Sequence, residues 1–157
     1  DLKYARAVFG LERDNATKIR KDIYKWEDVE PTFRYFFDGN YKNELETEGY
    51  IIKSLTEEKA TLTPEVMIKA LEAYKAAYNE ADDKDQWFAR MKEVAEGLNF
   101  CTNMKEYKAN PDAYKGHVGD ISTVIRVKLT GRSNTPDLYE IMKNLGKERI
   151  LKRYQQF

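Results

Sequence analysis

Apolar residues in this chain recur every three to four positions, the period that collects them on one side of a helix. Between Thr63 and Asn79, Val66, Ala70, Leu71, Tyr74, Ala77 and Tyr78 form one stripe. Its start carries helix-initiating chemistry: Thr63 as N-cap, Pro64 at the first helical position and Glu65 in the turn where the helix dipole favours an anion. Trp87, Phe88, Met91, Val94, Ala95 and Leu98 repeat the pattern over residues 84–100, with Gly97 near the end. Ile121, Val124, Ile125 and Leu129 predict a shorter helix. Leu138, Ile141, Met142 and Leu145 predict another, and Ile150, Leu151, Tyr154 and Phe157 a last one, divided from it by Gly146.

The N-terminal part reads as helical but interrupted. Aromatic clusters at residues 24–26 and 33–37 are broken at Pro31 and at Asp38-Gly39-Asn40. Residues 105–120, with Pro111, Gly116 and Gly119, predict the one long irregular connection. No alternating strand pattern, internal repeat or low-complexity tract is present. The expected fold class is therefore all-α, a helical bundle in two parts. The expected parts are 1–61, truncated at its N-terminus, and 62–157.

Composition narrows the chemistry. At 41% hydrophobic and 34% charged, the 157 residues can bury a core and resemble a soluble domain. No apolar run approaches the roughly 20 residues of a membrane span, and no signal-peptide pattern opens the chain. The single cysteine, Cys101, cannot form an internal disulfide, so a reducing cytoplasmic setting is expected. Starting at Asp1 in helix-like sequence, the chain reads as a piece of a longer protein.

One His and one Cys exclude a Cys/His zinc site within the chain. His117, between two glycines in a polar loop, is expected to stabilise a turn, and Cys101 to be a small buried residue. The acidic pairs Asp82-Asp83 and Glu57-Glu58 read as solvated caps, and no phosphate-binding glycine loop is present. No metal, no cofactor and no self-contained active site are expected. Net charge is zero but unevenly spread: +1 over residues 1–37, −6 over 38–100 and +5 over 101–157. A basic final third can aim a positive surface at an anionic partner.

"LTGRSNTPDLYE" (129–140) concentrates Gly, Pro and small polar residues in an otherwise Gly-poor chain. Thr135 as cap, Pro136 in the first turn and Asp137 on the dipole predict a helix start, whose free N–H groups suit phosphates or base acceptors. Arg126 is expected on the polar side of the preceding helix with Ser122, Thr123 and Thr130, aimed at that helix start. On this placement its loss would leave stability nearly unchanged. The residues alone leave open a plain connection between helices or a ligand-binding turn.

The stretch "VIRVKLTGRSNTPDLYEIMKNLGKERILKR" (124–153) resembles the C-terminal end of bacterial glutamyl-tRNA synthetases, in which Arg-x-x-Leu-Thr-Gly precedes Thr-Pro and a Leu-Gly-Lys-Glu-Arg helix. Residues 12–29 and 109–122 resemble a subset of that family. The resemblance implies an α-helical, two-part anticodon-binding unit of the α-helical cage type. It also implies that the catalytic domain, with its ATP and Mg2+, lies elsewhere in the parent enzyme. The catalytic His-x-Gly-His-like and Lys-Met-Ser-Lys-Ser-like motifs do not occur in the chain, so it is expected to be inactive alone.

Carried over by position, the resemblance implies that Arg126, Asn134, Thr135, Pro136 and Leu138 contact the anticodon. It implies Arg13, or alternatively Arg20, as reader of the third anticodon base. The implied partner is glutamate tRNA, with acceptance of glutamine tRNA left open. Unpaired anticodon bases suit recognition by Arg, backbone groups and planar side chains. The rival readings are a helical protein–protein interaction module with a basic C-terminal surface, and an enzyme completed across an oligomer interface.

Overall fold

The computed structural model describes residues 1–14, 17 and 23–155, with backbone only for 45–52. Its α-helices are α1 (Leu2–Phe9), α2 (Val29–Phe33), α3 (Asp38–Glu58), α4 (Pro64–Ala77), α5 (Lys84–Gly97), α6 (Met104–Ala109), α7 (Val118–Thr130) and α8 (Leu138–Tyr154). Among the described residues there is no strand, only an isolated bridge between Cys101 and His117. The all-α expectation holds.

Local chemistry starts α4, α5 and α7 as the sequence implies. Thr63 Oγ1 accepts from Val66 N–H, with Pro64 in the first turn of α4. Asp83 and Gln86 form a reciprocal capping box on α5. His117 Nδ1 accepts from Gly119 N–H, while Asp120 accepts from His117 N–H, so the histidine stabilises the turn into α7. Cys101 is buried. Asp82 departs from the solvated-cap reading: it is buried and ion-paired with Arg90.

Asp38-Gly39-Asn40 does not break the chain. It begins the 21-residue α3. A helix's first N–H groups need no intrahelical acceptor, and an acidic residue there meets the positive end of the dipole. A first turn therefore tolerates residues that would weaken a helix interior. The irregular 105–120 connection likewise contains α6 and a 3₁₀ turn at Pro111–Ala113.

Helix α7 is the centre of the bundle, packed by α3, α4, α5 and α8. Ile121, Val124, Ile125 and Leu129 are buried as their stripe predicts, but so are Val127, Lys128 and Thr130 near the C-terminal end. That end carries orphan carbonyls, which a buried helix terminus must satisfy. Tyr41 OH donates to Lys128 O at 2.7 Å, and the buried Arg153 donates through Nη1 to Leu129 O at 2.6 Å. Arg153 also donates to Tyr35 O and lies over the Tyr41 ring. Buried residues from α1 to α8 join one hydrophobic core, including Val8, Phe33, Phe36, Tyr74, Met91, Ile125 and Ile150. Gly146 interrupts α8 with φ 75° and ψ 158°, where the sequence divides its two apolar stripes.

Candidate nucleic-acid interface

The α7–α8 connection, residues 131–137, is held at both ends. Gly131 closes α7 in the left-handed conformation, φ 71°, and its N–H returns to Val127 O at 2.7 Å. A Cβ at this position would lie 2.7 Å from Glu44 Cβ and 2.8 Å from Glu44 O, so the turn presses directly on α3. Arg132 then forks onto Glu44, Nε to Oε2 at 2.9 Å and Nη2 to Oε1 at 3.0 Å. Arg34 Nε reaches Oε1 as well. Burial works against the Glu44 carboxylate, but the hydrogen bonds and charges of Arg132 and Arg34 outweigh it and hold the carboxyl below its ordinary range.

The far end is tied to α7. Arg126 Nη1 donates to Thr135 Oγ1 and, at 2.6 Å, to Pro136 O. Asp137 N–H donates to Glu12 Oε1 at 2.9 Å, bringing the turn after α1 against the start of α8. Asp137 Oδ2 accepts from Lys84 Nζ at 2.9 Å, a hydrogen bond that raises Lys84 above its ordinary value.

This geometry changes the expected helix start. Asp137, not Thr135, caps α8 by accepting from Glu140 N–H, and Leu138 opens the helix. Pro136 lies outside the helix and is buried. Thr135 is drawn away from a capping role because Arg126 and Pro136 O engage its hydroxyl. Arg126 is not on a freely solvated face either. It is half-buried, and Thr130, expected beside it in solvent, is fully buried, donating to Arg126 O at 2.8 Å.

The structure therefore gathers Arg126, Asn134, Thr135, Pro136 and Leu138 in one neighbourhood with unequal access. Ser133 and Asn134 are exposed, Thr135 is half-buried, and Pro136 and Leu138 are buried. At the start of α8, Glu140 N–H is already taken by the Asp137 cap and Asp137 N–H by Glu12, so the polar groups open to solvent here are those of Ser133 and Asn134. Together these groups offer amide and hydroxyl donors along a short edge, a set suited to base edges or phosphate oxygens.

Arg13 lines a different groove of about 450 Å³, with Phe9, Tyr24, Lys25, Trp26 and Phe33 among its other walls. Trp26 and Tyr24 are 91% and 85% exposed. Arg20 lies outside the described residues. Part of the basic surplus of the last third is not free surface: Lys128 and Arg153 are buried, and Arg126 and Arg132 hold the turn, whereas Lys105, Lys108, Lys115, Lys143, Lys147 and Lys152 are exposed. Glu44, Glu12, Arg132 and Lys84, which fix the turn, are absent from the sequence-derived site. Glu44 and Arg132 are 88 positions apart, and no local spacing links them.

The sequence matches the anticodon binding domain family over residues 5–157. The chain belongs to the anticodon-binding domain family. It is 40% identical over 152 residues to the glutamate–tRNA ligase of Clostridium perfringens strain SM101, covering 97% of this chain and 26% of that protein. The glutamate–tRNA ligase of Acetivibrio thermocellus is 39% identical over 142 residues, 90% of this chain and 24% of that one. That of Sorangium cellulosum is 30% identical over 157 residues, 100% of this chain and 26% of that one. The chain thus spans about a quarter of the length of the curated relatives it matches. No solved structure gives a significant match. For this anticodon-binding domain, no described helix is long and apolar enough to cross a membrane. No group of three or more His, Cys, Asp or Glu that could hold a metal gathers among the described residues.

Proposed function

We propose that this anticodon-binding domain is the anticodon-reading part of a cytoplasmic glutamate–tRNA ligase and that its ligand is glutamate tRNA. The observation that carries this reading is the 131–137 turn, clamped to α3 through Arg132 and to α7 through Arg126, with Ser133 and Asn134 left exposed between the clamps. A base-reading edge must be held in place before the ligand arrives, because a loose loop would lose affinity in ordering itself. Asn134 then offers an amide to a base edge, Ser133 a hydroxyl, and Arg126 fixes the position of Thr135 and of Pro136 O. Arg13, in its aromatic groove, reads the third anticodon base. Glutamate activation with ATP and Mg2+ belongs to the rest of the parent enzyme, and this chain takes no part in that chemistry.

The test is binding of the chain to glutamate tRNA, glutamine tRNA and glutamate tRNA carrying a foreign anticodon. The expected result is preference for the glutamate anticodon, with each mismatched base costing about 1–3 kcal/mol. The glutamine tRNA measurement reads whether the parent discriminates between the two acceptors. Equal affinity for all three tRNAs refutes anticodon reading and favours the protein-interaction alternative.

A further inference from the structure

Glu44 stands beside the exposed edge of the turn rather than on it. Its side chain is only 4% exposed, whereas those of its partners Arg132 and Arg34 are 25% and 44% exposed. The carboxylate is thus buried while its cations reach solvent. Removing it from water is costly, and the fork from Arg132 together with the bond from Arg34 offsets that cost. The Arg132 guanidinium is further held over the Tyr35 ring at 5.4 Å. Both cations flank a turn read above as binding nucleic acid, where solvent-reachable arginines would ordinarily take phosphates. Phosphate contacts strengthen binding to every tRNA alike, and only base contacts discriminate.

We infer that Glu44 is a specificity-determining residue that withholds Arg34 and Arg132 from the tRNA backbone, so that affinity at this edge depends on the bases. The inference rests on the tRNA reading proposed above. Glu44 acts through the two arginines and touches no ligand. A neutral side chain in its place can accept a hydrogen bond but cannot balance two guanidiniums, which then repel one another and turn toward solvent.

The experiment measures binding of the chain and of its Glu44→Gln variant to glutamate tRNA and to the foreign-anticodon tRNA, between about 50 and 200 mM salt, with thermal melts of both proteins. The variant is expected to bind the foreign-anticodon tRNA more tightly at low salt, by about threefold for each guanidinium released. Its log K should fall more steeply with log salt, by roughly 0.7–0.9 per released guanidinium. The gap between the tRNAs should narrow accordingly. A merely structural Glu44 would weaken both tRNAs with an unchanged or shallower slope, and that result overturns the inference. Should Glu44→Gln melt below the assay temperature, Arg34→Gln decides, because it leaves the Arg132 fork in place. A wild-type slope supports withholding, and a slope shallower by one contact shows Arg34 already on a phosphate and overturns it. Loss of anticodon preference in the wild-type chain defeats the proposed function, whereas the difference in salt slope between wild type and variant judges Glu44 separately.

Discussion

Arg126 and Arg13 carry the same guanidinium, yet the fold sets them in opposite surroundings. Arg126 projects from the central helix α7 and spans to Thr135 and Pro136, in a neighbourhood joined to α3 by Glu44 and to the turn after α1 by Glu12. Arg13 follows the short α1, near the left-handed Glu12 at φ 56°, and lines a groove rimmed by the exposed Tyr24 and Trp26. One arginine is part of the scaffold that holds the 131–137 turn, and the other lines a groove open to solvent. Under the proposed function, these identical side chains serve recognition by different routes, one by shaping backbone and the other by contact. The two routes predict different penalties when each region is altered.

The largest effect is expected at the point where the turn meets α3. Gly131→Ala places a Cβ in a left-handed conformation and within 3 Å of Glu44. The conformation alone costs about 1–2 kcal/mol, and the overlap with α3 backbone adds a similar amount. A loss of about 3 kcal/mol in chemical denaturation is expected, with anticodon preference reduced alongside it. A melt like that of the wild-type protein would show that the turn can move off α3 without cost, and the scaffold half of the comparison would fail.

Arg126→Ala is expected to be intermediate. Its loss leaves the carbonyl of the buried Pro136 without the guanidinium that now reaches it, and removing a charged donor of this kind costs about 1–3 kcal/mol. Unlike the placement on a polar stripe, the observed contacts make stability and anticodon preference fall together. Denaturation and tRNA binding on the same variant check this. A variant that loses preference at unchanged stability would move Arg126 from scaffold to direct reader, alongside Arg13.

Much of this scaffold was legible in the sequence where its causes are local. Apolar stripes fall every three to four residues in α4, α5, α7 and α8, and the Thr63, Asp83 and Gly146 boundaries follow from caps and backbone freedom within a few positions. Asp38-Gly39-Asn40 misleads because residues that favour turns also suit the first turn of a helix. The cap of α8 is displaced from Thr135 to Asp137 because Arg126 and Pro136 O engage the Thr135 hydroxyl, a choice made by tertiary contact. The anchors of the site, Glu44 with Arg132 and Glu12 with Asp137, join positions 88 and 125 residues apart, and no periodicity reports them. The turn itself could be read from its residue pattern, whereas what holds it in place could not.

The smallest effect on stability is expected in the groove around Arg13. Trp26 is 91% exposed, so Trp26→Ala removes little buried area, and surface substitutions of this kind change stability by no more than about 0.5 kcal/mol. Arg13→Ala should be equally mild, because its side chain lines a groove instead of bridging helices. Binding should respond where stability does not. A base stacked on an aromatic ring is worth about 1–3 kcal/mol, so Trp26→Ala should weaken all tRNAs by a similar factor. Arg13→Ala should reduce discrimination only when the third anticodon base is changed, leaving the penalty for changing the first two intact. Denaturation curves together with binding to three single-base anticodon variants separate these outcomes. If Arg13→Ala instead lowers stability as Arg126→Ala does and relaxes all three positions alike, the two arginines do the same job and the contrast between scaffold and contact disappears.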